Sequence, residues 1–381
     1  MLFSMLGIIV TYQCNAMCDS CGPRCGPHRK ERLSIDEIKQ IVDEATECGS
    51  RVIIFTGGEP TLLGPGLEEV IRHASSRGNR VGMVSNGWWA KDERTALRKL
   101  QSFRDAGLTE ISISADDWHL PYVPLERVAF AVDAARTLKL RTIVAVGEAI
   151  GSKITGKYLQ QYLSGNPPIY REGMDERPED IVTIRPVNLL PFGFAADKIS
   201  EEEIHSLAPA NDKDLAFLKR QGCPMVLRSP AIMPDGRVTA CCSVFNEDNH
   251  SLVMGHWPQQ GLREILEAGE NDLLLNWIKF EGPFGIKDYI ERHAPEIKFK
   301  PGYAGICHLC GDLLEREDTR KFLEQHLPEL RDHVFALKLT RLSGLEMPIG
   351  CIESRMSRPV ELQSCGAPNQ RLTQIESRVA S

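Results

Sequence analysis

The chain has 381 residues, 42% of them apolar and 25% charged, which is the composition of an ordinary globular protein. Its net charge of −7 argues against a general nucleic-acid binder and against a protein that binds anionic membranes. The opening ten residues carry no basic segment and are too short to span a bilayer. We therefore expect a cytoplasmic protein whose twelve cysteines stay reduced, where clustered thiols are more often metal ligands than disulfides.

Six short apolar runs rich in β-formers recur through the first half of the chain. Their spacing of roughly 30 to 45 residues is the size of a βα unit. The runs cover residues 7–12, 51–56, 80–85, 110–115, 141–146 and 181–187. Helical patterns fill the gaps, and the first opens with a capping box at Ser34 and Glu37 and stops at Gly49. The alternation predicts an α/β fold, a partial TIM-like barrel of six βα units with a parallel sheet.

Polar or glycine-rich fragments follow five of these strands. In parallel sheets of this kind the working residues lie at the carboxyl ends of the strands and in the loops that follow. The fragments are a cysteine loop at 12–25, TGGEP at 56–60, SNG at 85–87, ADDWH at 115–119 and VGE at 146–148. We expect all five to share one face of the barrel.

The first loop holds cysteines in the pattern C-x3-C-x2-C, at Cys14, Cys18 and Cys21. A structural zinc site needs four ligands, usually as two separated pairs. A cubane iron–sulfur cluster with three protein thiolates leaves one iron open for a substrate or cofactor. The spacing favours the cluster, and a zinc site with Cys25 as the fourth ligand is the alternative.

These motifs resemble the radical SAM superfamily, whose cysteine loop binds a 4Fe–4S cluster with S-adenosylmethionine on the open iron. The resemblance, which covers about residues 6 to 195, implies reductive cleavage to a 5′-deoxyadenosyl radical that abstracts a substrate hydrogen. It also implies a set of S-adenosylmethionine-binding residues: Gly57, Gly58 and Glu59 at the amino group, and Ser85, Asn86, Ser114 and Arg185 at the ribose or carboxylate. Ser20 stands where many members carry an aromatic residue, which leaves Tyr12 and Met17 as candidates to pack on adenine.

A second set of cysteines begins at Cys223, and on spacing alone it could close a structural zinc site. Cys223, Gly236 and Cys241 resemble the opening of the SPASM and twitch extensions of radical SAM enzymes, and Cys307 and Cys310 form a C-x2-C pair. The resemblance implies one auxiliary 4Fe–4S cluster of the shorter twitch type, whose ligands would be Cys223, Cys241, Cys307 and Cys310. Cys242 falls one residue off the pattern. A fully ligated cluster would transfer electrons.

The loop after the fourth strand holds the candidate catalytic residues Asp116, Asp117 and His119. One of them could bind a substrate hydroxyl or amine, or accept a proton from a substrate radical. The alternative is that the aspartates cap the loop and His119 meets backbone, since such residues favour caps and turns. Glu148 allows the same two interpretations.

We predict a barrel over residues 1–195, a connector over 196–220, an auxiliary-cluster domain over 221–315, helices over 316–345 and a flexible tail over 346–381. The basic run at 23–33 could dock an acidic electron donor such as a reduced flavodoxin or ferredoxin, and a solvated face is the alternative. Cys48 is expected to serve packing, and nothing selects Cys351 or Cys365 for a role.

The favoured substrate is a ribosomally made peptide, because many relatives with such extensions modify peptides by oxidation, cross-linking or epimerisation. A radical dehydrogenase or epimerase of a small sugar or cyclitol is the alternative. A non-catalytic zinc or iron–sulfur carrier ranks below both, because that role does not require the GGE and SNG fragments at the strand ends.

Overall fold

The computed structural model describes residues 3–170, 177–204, 222–242 and 250–343. Six parallel strands alternate with helices through the first half of the chain and pair in sequence order. The strands are β1 (Met5–Ile9), β2 (Val52–Thr56), β3 (Arg80–Ser85), β4 (Leu108–Ser114), β5 (Arg141–Glu148) and β6 (Val182–Asn188). The helices between them are α1 (Ile35–Glu47), α2 (Pro65–Ser76), α3 (Glu93–Ala106), α4 (Leu125–Leu138) and α5 (Gly156–Tyr162). The predicted α/β fold with six βα-type strands is confirmed.

Helix α1 shows how local sequence sets these elements. The Ser34 side chain accepts the Glu37 N–H, and the Glu37 carboxylate accepts the Ser34 N–H at 2.7 Å, so the predicted capping box is present. The helix then buries one apolar stripe, Ile38, Ile41, Val42 and Ala45, against the sheet. Burial of that stripe supplies most of the stability of such a helix, because isolated helices of this length are marginal in water.

Three further strands extend the same sheet beyond β1. They are β7 (Ala231–Ile232), β8 (Arg237–Thr239) and β9 (Val253–His256). Strand β7 pairs parallel with β1, in register Gly7 with Ala231, and then β8 and β9 follow antiparallel. Strands β7 and β8 form a hairpin whose turn contains Gly236. Its first strand joins the barrel sheet, which the sequence did not indicate.

The second half of the chain is otherwise helical. Its helices are α6 (Phe194–Lys198), α7 (Leu262–Asn271), α8 (Leu273–Phe280), α9 (Gly282–His293), α10 (Ile306–Glu315), α11 (Glu317–His326) and α12 (Arg331–Ser343). The compact unit that contains the sheet runs from Met1 to Val334. The predicted boundary at residue 195 falls inside α6, and the domain division stays a prediction. Residues 346–381, with Cys351 and Cys365, lie outside the described residues.

No helix in the described part of the chain is long and apolar enough to cross a membrane.

Candidate functional site

The cysteine loop between β1 and α1 folds back on itself. The Cys14 N–H donates to the Gly26 carbonyl at 3.1 Å, and the Gly26 N–H donates to the Tyr12 carbonyl at 3.2 Å. These bonds gather the thiols of Cys14, Cys18 and Cys25 in one buried cluster, with the Cys21 side chain packed against it. The loop thus brings together the predicted triad and Cys25, the fourth ligand of the zinc alternative.

Hydrogen-bond donors surround the sulfurs of this loop. The Cys14 Sγ accepts from the Ala16 N–H at 3.4 Å and from Asn86 Nδ2 at 3.7 Å, and the Cys21 Sγ accepts from the Cys25 N–H at 3.3 Å. Burial raises the pKa of Cys14 to about 12, and the Glu59 carboxylate and the Cys18 and Cys21 thiols add to that shift. A thiol in this position keeps its proton until a cation replaces it, because metal ligation requires the thiolate.

The two glycines of the GGE fragment are packed against the cysteine loop. Gly57 has a φ of +142°, and a Cβ there would lie 2.4 Å from the Thr11 carbonyl oxygen. A Cβ on Gly58 would lie 2.1 Å from the Gln13 carbonyl oxygen. The Gly58 N–H donates to the Thr11 carbonyl at 2.7 Å, and the Glu59 N–H donates to the Gln13 carbonyl at 2.9 Å. Only residues without a side chain allow this close approach. The glycines therefore hold the cysteine loop, in addition to any contact that they make with a ligand.

Glu59, Ser85 and Asn86, predicted to contact S-adenosylmethionine, are buried and bonded to one another. The Glu59 carboxylate, with no exposed surface, accepts the Thr61 hydroxyl at 2.6 Å, the Ser85 hydroxyl at 2.9 Å and the Asn86 N–H at 2.8 Å. Burial raises the pKa of Glu59, and these hydrogen bonds counteract the shift by favouring the carboxylate. This carboxylate therefore joins the end of β2 to the end of β3.

Two tryptophans that the sequence reasoning missed extend this arrangement. Trp88 Nε1 donates to the Thr61 hydroxyl at 2.9 Å, and Trp89 Nε1 donates to the Ser85 hydroxyl at 3.0 Å. Their position directly after SNG was the available signal. Both indole N–H groups therefore bind the hydroxyl groups that donate hydrogen bonds to the Glu59 carboxylate.

Helix α6 and the residues before it hold the other side of the cysteine loop. Gly193 has a φ of +57°, and a Cβ there would lie 1.9 Å from the Gly22 carbonyl oxygen. The Phe194 N–H donates to the Cys21 carbonyl at 3.0 Å. Asp197 pairs with Arg24, and Lys198 pairs with Asp19 of the loop. The sequence reasoning placed these residues at the edge of a connector and missed their contact with the loop, for which the glycine in PFGF was the one local signal.

The loop after β4 uses its aspartates to hold backbone. Asp116 is 6% exposed and accepts the Trp118 and His119 N–H groups at 3.1 Å, and His119 Nδ1 lies 2.8 Å from the same oxygen. Asp117 accepts the Lys153 N–H at 2.7 Å, which fixes the loop after β5. Both aspartates thus accept backbone N–H groups, as the alternative interpretation expects, and their catalytic assignment stays a prediction.

His119 lies between Asp116 and the cysteine loop. Burial lowers the pKa of His119, but the Asp116 carboxylate and the neighbouring Cys18 thiol outweigh burial and raise that pKa well above its usual range. Of the three predicted catalytic residues, His119 is the one whose ring contacts a cysteine of the first loop.

Ser114 and Arg185 lie in one row across the sheet. Both pair with Ala145 of β5 in the parallel ladders, one from β4 and one from β6, and both side chains are half-buried. Glu148 instead accepts the Gly156 N–H at 2.7 Å. Ser114 is thus the last residue of β4, whereas Arg185 lies in the middle of β6, and their contact with S-adenosylmethionine stays a prediction.

The two candidates for packing on adenine differ in exposure. Tyr12 is 3% exposed, with the Arg29 guanidinium 4.5 Å from the centre of its ring, whereas Met17 is 37% exposed. Met17 is therefore the one that can meet a ligand without a rearrangement of the loop.

The second set of cysteines comes together from three distant segments. Cys223 is anchored by its N–H to the Ile278 carbonyl at 3.0 Å, Cys241 follows β8, and Cys307 and Cys310 occupy the first turns of α10. In a helix, residues three apart share a face. Burial raises the pKa of Cys307 to about 12, and the thiols of Cys241, Cys223 and Cys242 add to it.

The pKa of Cys310 reflects the other three predicted auxiliary ligands. Burial raises the pKa of Cys310 well above its usual range, and Cys241, Cys223 and Cys307 all reinforce that shift. Cys242 also raises the pKa of Cys307. Cys242 lies next to β1, where a Cβ on Gly7 would lie 3.5 Å from the Cys242 Cβ.

One short segment, residues 188–194, contacts both the first cysteine loop and the region of α10, the helix that carries Cys307 and Cys310. Asn188 Nδ2 donates to the Ala304 carbonyl at 3.1 Å, just before α10, and a Cβ on Gly311 would lie 2.6 Å from the Phe192 ring. The next residue along, Gly193, packs on the backbone of Gly22. The two thiol groups are therefore structurally linked through the loop after β6.

The donor sets fit iron–sulfur clusters in chemistry and surroundings. Each group supplies three or four thiols that are buried or half-buried, and the first group has N–H donors directed at its sulfurs. Thiolate ligands with such hydrogen bonds are typical of these clusters. In the described ranges, no three His, Cys, Asp or Glu side chains are placed so that they could hold one metal ion.

The chain is similar to known proteins in sequence and in structure. The family profile described as the radical SAM superfamily matches residues 8–120. The "Putative peptide biosynthesis protein YydG" of Bacillus subtilis (strain 168) is 22% identical over 335 residues, which span 85% of this chain and 96% of that protein. GTP 3′,8-cyclase of Actinobacillus pleuropneumoniae serotype 5b (strain L20) is 34% identical over 117 residues, 29% of this chain and 32% of the enzyme. The chain thus matches about a third of the cyclase.

Two solved structures resemble the chain at low identity. One is anSMEcpe with bound AdoMet and Cp18Cys peptide, with a TM-score of 0.47, 14% identity and coverage of 88% of this chain and 99% of that one. The other is Streptococcus suis SuiB bound to the precursor peptide SuiA, with a TM-score of 0.43, 14% identity and coverage of 81% and 76%.

The cysteine triad lies on the loop after β1, directly beside the GGE and SNG fragments at the ends of β2 and β3. The family profile covers this same stretch of βα units. Residues 8–120 are therefore a radical SAM domain, and members of that superfamily bind a 4Fe–4S cluster and S-adenosylmethionine.

Proposed function

We propose that this enzyme modifies a ribosomally made peptide by hydrogen abstraction, with oxidation, cross-linking or epimerisation as the outcome. The observation that carries the proposal is the similarity to a putative peptide biosynthesis protein over 85% of this chain. The similarity to the GTP cyclases covers only 29% of this chain, so it supports the cofactor site and not their substrate.

The first cluster would be held by Cys14, Cys18 and Cys21. When bound, it supplies the electron that cleaves S-adenosylmethionine, and the resulting 5′-deoxyadenosyl radical abstracts the substrate hydrogen. The chain contributes a buried pocket of thiols, N–H donors to their sulfurs, and two glycines that fix the loop. Ser114, Arg185 and the half-buried backbone of residues 57–58 are the groups we propose for contact with S-adenosylmethionine.

The second group would hold an auxiliary 4Fe–4S cluster of the twitch type. The mutual electrostatic influence of Cys223, Cys241, Cys307 and Cys310 supports this ligand set. Four thiolates leave no open iron, so the group is suited to electron transfer and not to substrate binding. An electron acceptor of this kind favours reactions that remove two electrons from the peptide.

A reduced flavodoxin or ferredoxin is the electron donor we propose. His28, Lys30 and Arg32 are exposed beside the cysteine loop and would complement an acidic partner. Arg24 and Arg29 of the same run are occupied by Asp197 and Glu31 within the chain, so the basic surface is smaller than its sequence suggests.

Anaerobic reconstitution tests the cofactor assignment. Wild type should bind about eight irons and a Cys14/Cys18/Cys21→Ala variant about four. With dithionite and S-adenosylmethionine, only wild type should release 5′-deoxyadenosine. Cys48→Ala is the matched control, because Cys48 is buried at the end of α1 and should leave iron content and nucleoside yield unchanged. Zinc in place of iron, or no nucleoside from a loaded enzyme, would contradict the proposal.

The peptide assignment needs a separate assay. The loaded enzyme would be incubated in D2O with a precursor peptide encoded beside its gene, and the product analysed by mass spectrometry. Loss of two hydrogens indicates oxidation or cross-linking, and uptake of one deuterium indicates epimerisation. Nucleoside release without any change in such a peptide would count against the peptide and leave the cofactor assignment intact.

A further inference from the structure

Asn86 lies where the buried carboxylate of Glu59 meets the cysteine loop. Its backbone N–H donates to Glu59 Oε2 at 2.8 Å. Its side-chain Nδ2 donates to the Cys14 Sγ at 3.7 Å, within range for a sulfur acceptor, and to Asn15 Oδ1 at 3.0 Å. A direct chain of contacts therefore joins the end of β2, the end of β3 and the first cysteine.

The Asn86 amide is fully committed to these partners. A carboxamide has two N–H donors, and Cys14 and Asn15 use both. Its oxygen accepts the Trp88 N–H at 3.0 Å, and the residue is 5% exposed. A fixed, buried amide of this kind cannot turn toward another acceptor without the loss of a bond that it already makes.

We propose that Asn86 is a positioning residue for Cys14, whose N–H···S hydrogen bond sets the reduction potential of the cluster on the first loop. The inference rests on the proposed function, because it needs a cluster held by Cys14. A donor to a ligand sulfur stabilises the reduced, more negative form of the cluster and so raises the potential. The amide is neutral, so this contribution does not depend on its protonation.

Asn86 is also the donor that can be removed cleanly. The other hydrogen bond described for the Cys14 sulfur comes from the backbone N–H of Ala16, which side-chain substitution leaves in place. The backbone bond from residue 86 to Glu59 likewise survives replacement of the side chain. The effect of substitution on the potential therefore reports the side-chain amide.

The test is an EPR-monitored redox titration of the reconstituted full-length enzyme without S-adenosylmethionine. The first cluster is identified as the one whose signal changes when S-adenosylmethionine is then added. In Asn86→Ala the ratio of reduced to oxidised cluster at a given potential should fall about tenfold, a shift of about 59 mV to more negative values. Asn86→Asp, with an isosteric side chain that cannot donate, should shift it at least as far.

Asn79→Ala is the matched control. Asn79 is also a buried asparagine, 6% exposed, but its Nδ2 bonds the Thr46 hydroxyl and the Ala74 carbonyl away from the cysteines. The reduction potential of the first cluster in Asn79→Ala should match that in wild type. Full iron content with an unchanged potential in both Asn86 variants would overturn the inference, and so would weaker S-adenosylmethionine binding at unchanged potential.

Two other outcomes separate the inference from the proposed function. Loss of the first cluster from both Asn86 variants, with Asn79→Ala fully loaded, would overturn the potential-setting role and leave Asn86 a purely structural residue. Failure of wild type itself to give a signal that responds to S-adenosylmethionine would overturn the proposed function before the inference is reached.

Discussion

Substitution of Gly58 by alanine should dislodge the cysteine loop. Gly58 does not adopt a positive φ, so alanine meets no backbone strain there, and the effect comes from packing alone. The new Cβ would lie 2.1 Å from the Gln13 carbonyl oxygen, 2.6 Å from the Gln13 carbonyl carbon and 2.9 Å from the Tyr12 carbonyl oxygen. All three neighbours are backbone atoms of the loop, so no side-chain rotation relieves the clash.

The expected loss in free energy of unfolding follows from the contacts that the new Cβ would break. To relieve the clash the loop must move away from the end of β2, which breaks two hydrogen bonds. These are Gly58 N–H to the Thr11 carbonyl at 2.7 Å and Glu59 N–H to the Gln13 carbonyl at 2.9 Å. Each is worth about 1 kcal/mol, and overpacking adds about 1–3 kcal/mol. We expect the free energy of unfolding to fall by about 3–5 kcal/mol in urea denaturation followed by circular dichroism. The reconstituted variant should retain about four irons, those of the second cysteine group.

Gly261→Ala provides the control. Gly261 has a φ of −65°, and no atom lies within 4 Å of a Cβ built there, so the same change of residue type meets no clash. Its stability and iron content should match wild type. If Gly58→Ala kept about eight irons and unfolded within about 0.5 kcal/mol of wild type, the close approach of β2 to the loop would not be what holds the cysteines.

Three further predictions address the carboxylate, the auxiliary thiols and the loop after β6. Glu59→Gln should lower the free energy of unfolding by about 2–3 kcal/mol in urea denaturation. The buried Glu59 carboxylate accepts hydrogen bonds, and the glutamine carboxamide would place its own N–H groups against those donors. A change below about 0.5 kcal/mol would refute this. Cys241→Ser should lose the second cluster in an iron assay, whereas Cys242→Ser should keep it, and the reverse result would reassign the ligand. Gly193→Ala should lose the first cluster in the same iron assay, because Gly193 has a positive φ and the new Cβ would lie 1.9 Å from the Gly22 carbonyl oxygen. Full iron loading of this variant would show that the contact is dispensable.

Local sequence determined the elements of the barrel and the position of the cysteine loop. The apolar runs and the capping box at Ser34 are short-range signals, since side-chain periodicity and cap bonds involve residues a few positions apart. The rule that loops follow the carboxyl ends of parallel strands then placed the cysteine loop, GGE and SNG on one face. The order of the six strands and their pairing agree with that reasoning.

Tertiary structure alone decided what the motif residues touch. The fold buries Glu59 and Asn86, bonds them to each other and bonds Asn86 to Cys14. Sequence reasoning named none of these contacts, and the contact of both residues with a ligand stays a prediction. The fold also brought β7 alongside β1 and placed residues 192–194 between the two cysteine groups. These contacts join residues that are far apart in the chain, and they depend on which surfaces pack together. No periodicity or local spacing encodes such packing, so only the folded chain shows how the two groups of thiols are held.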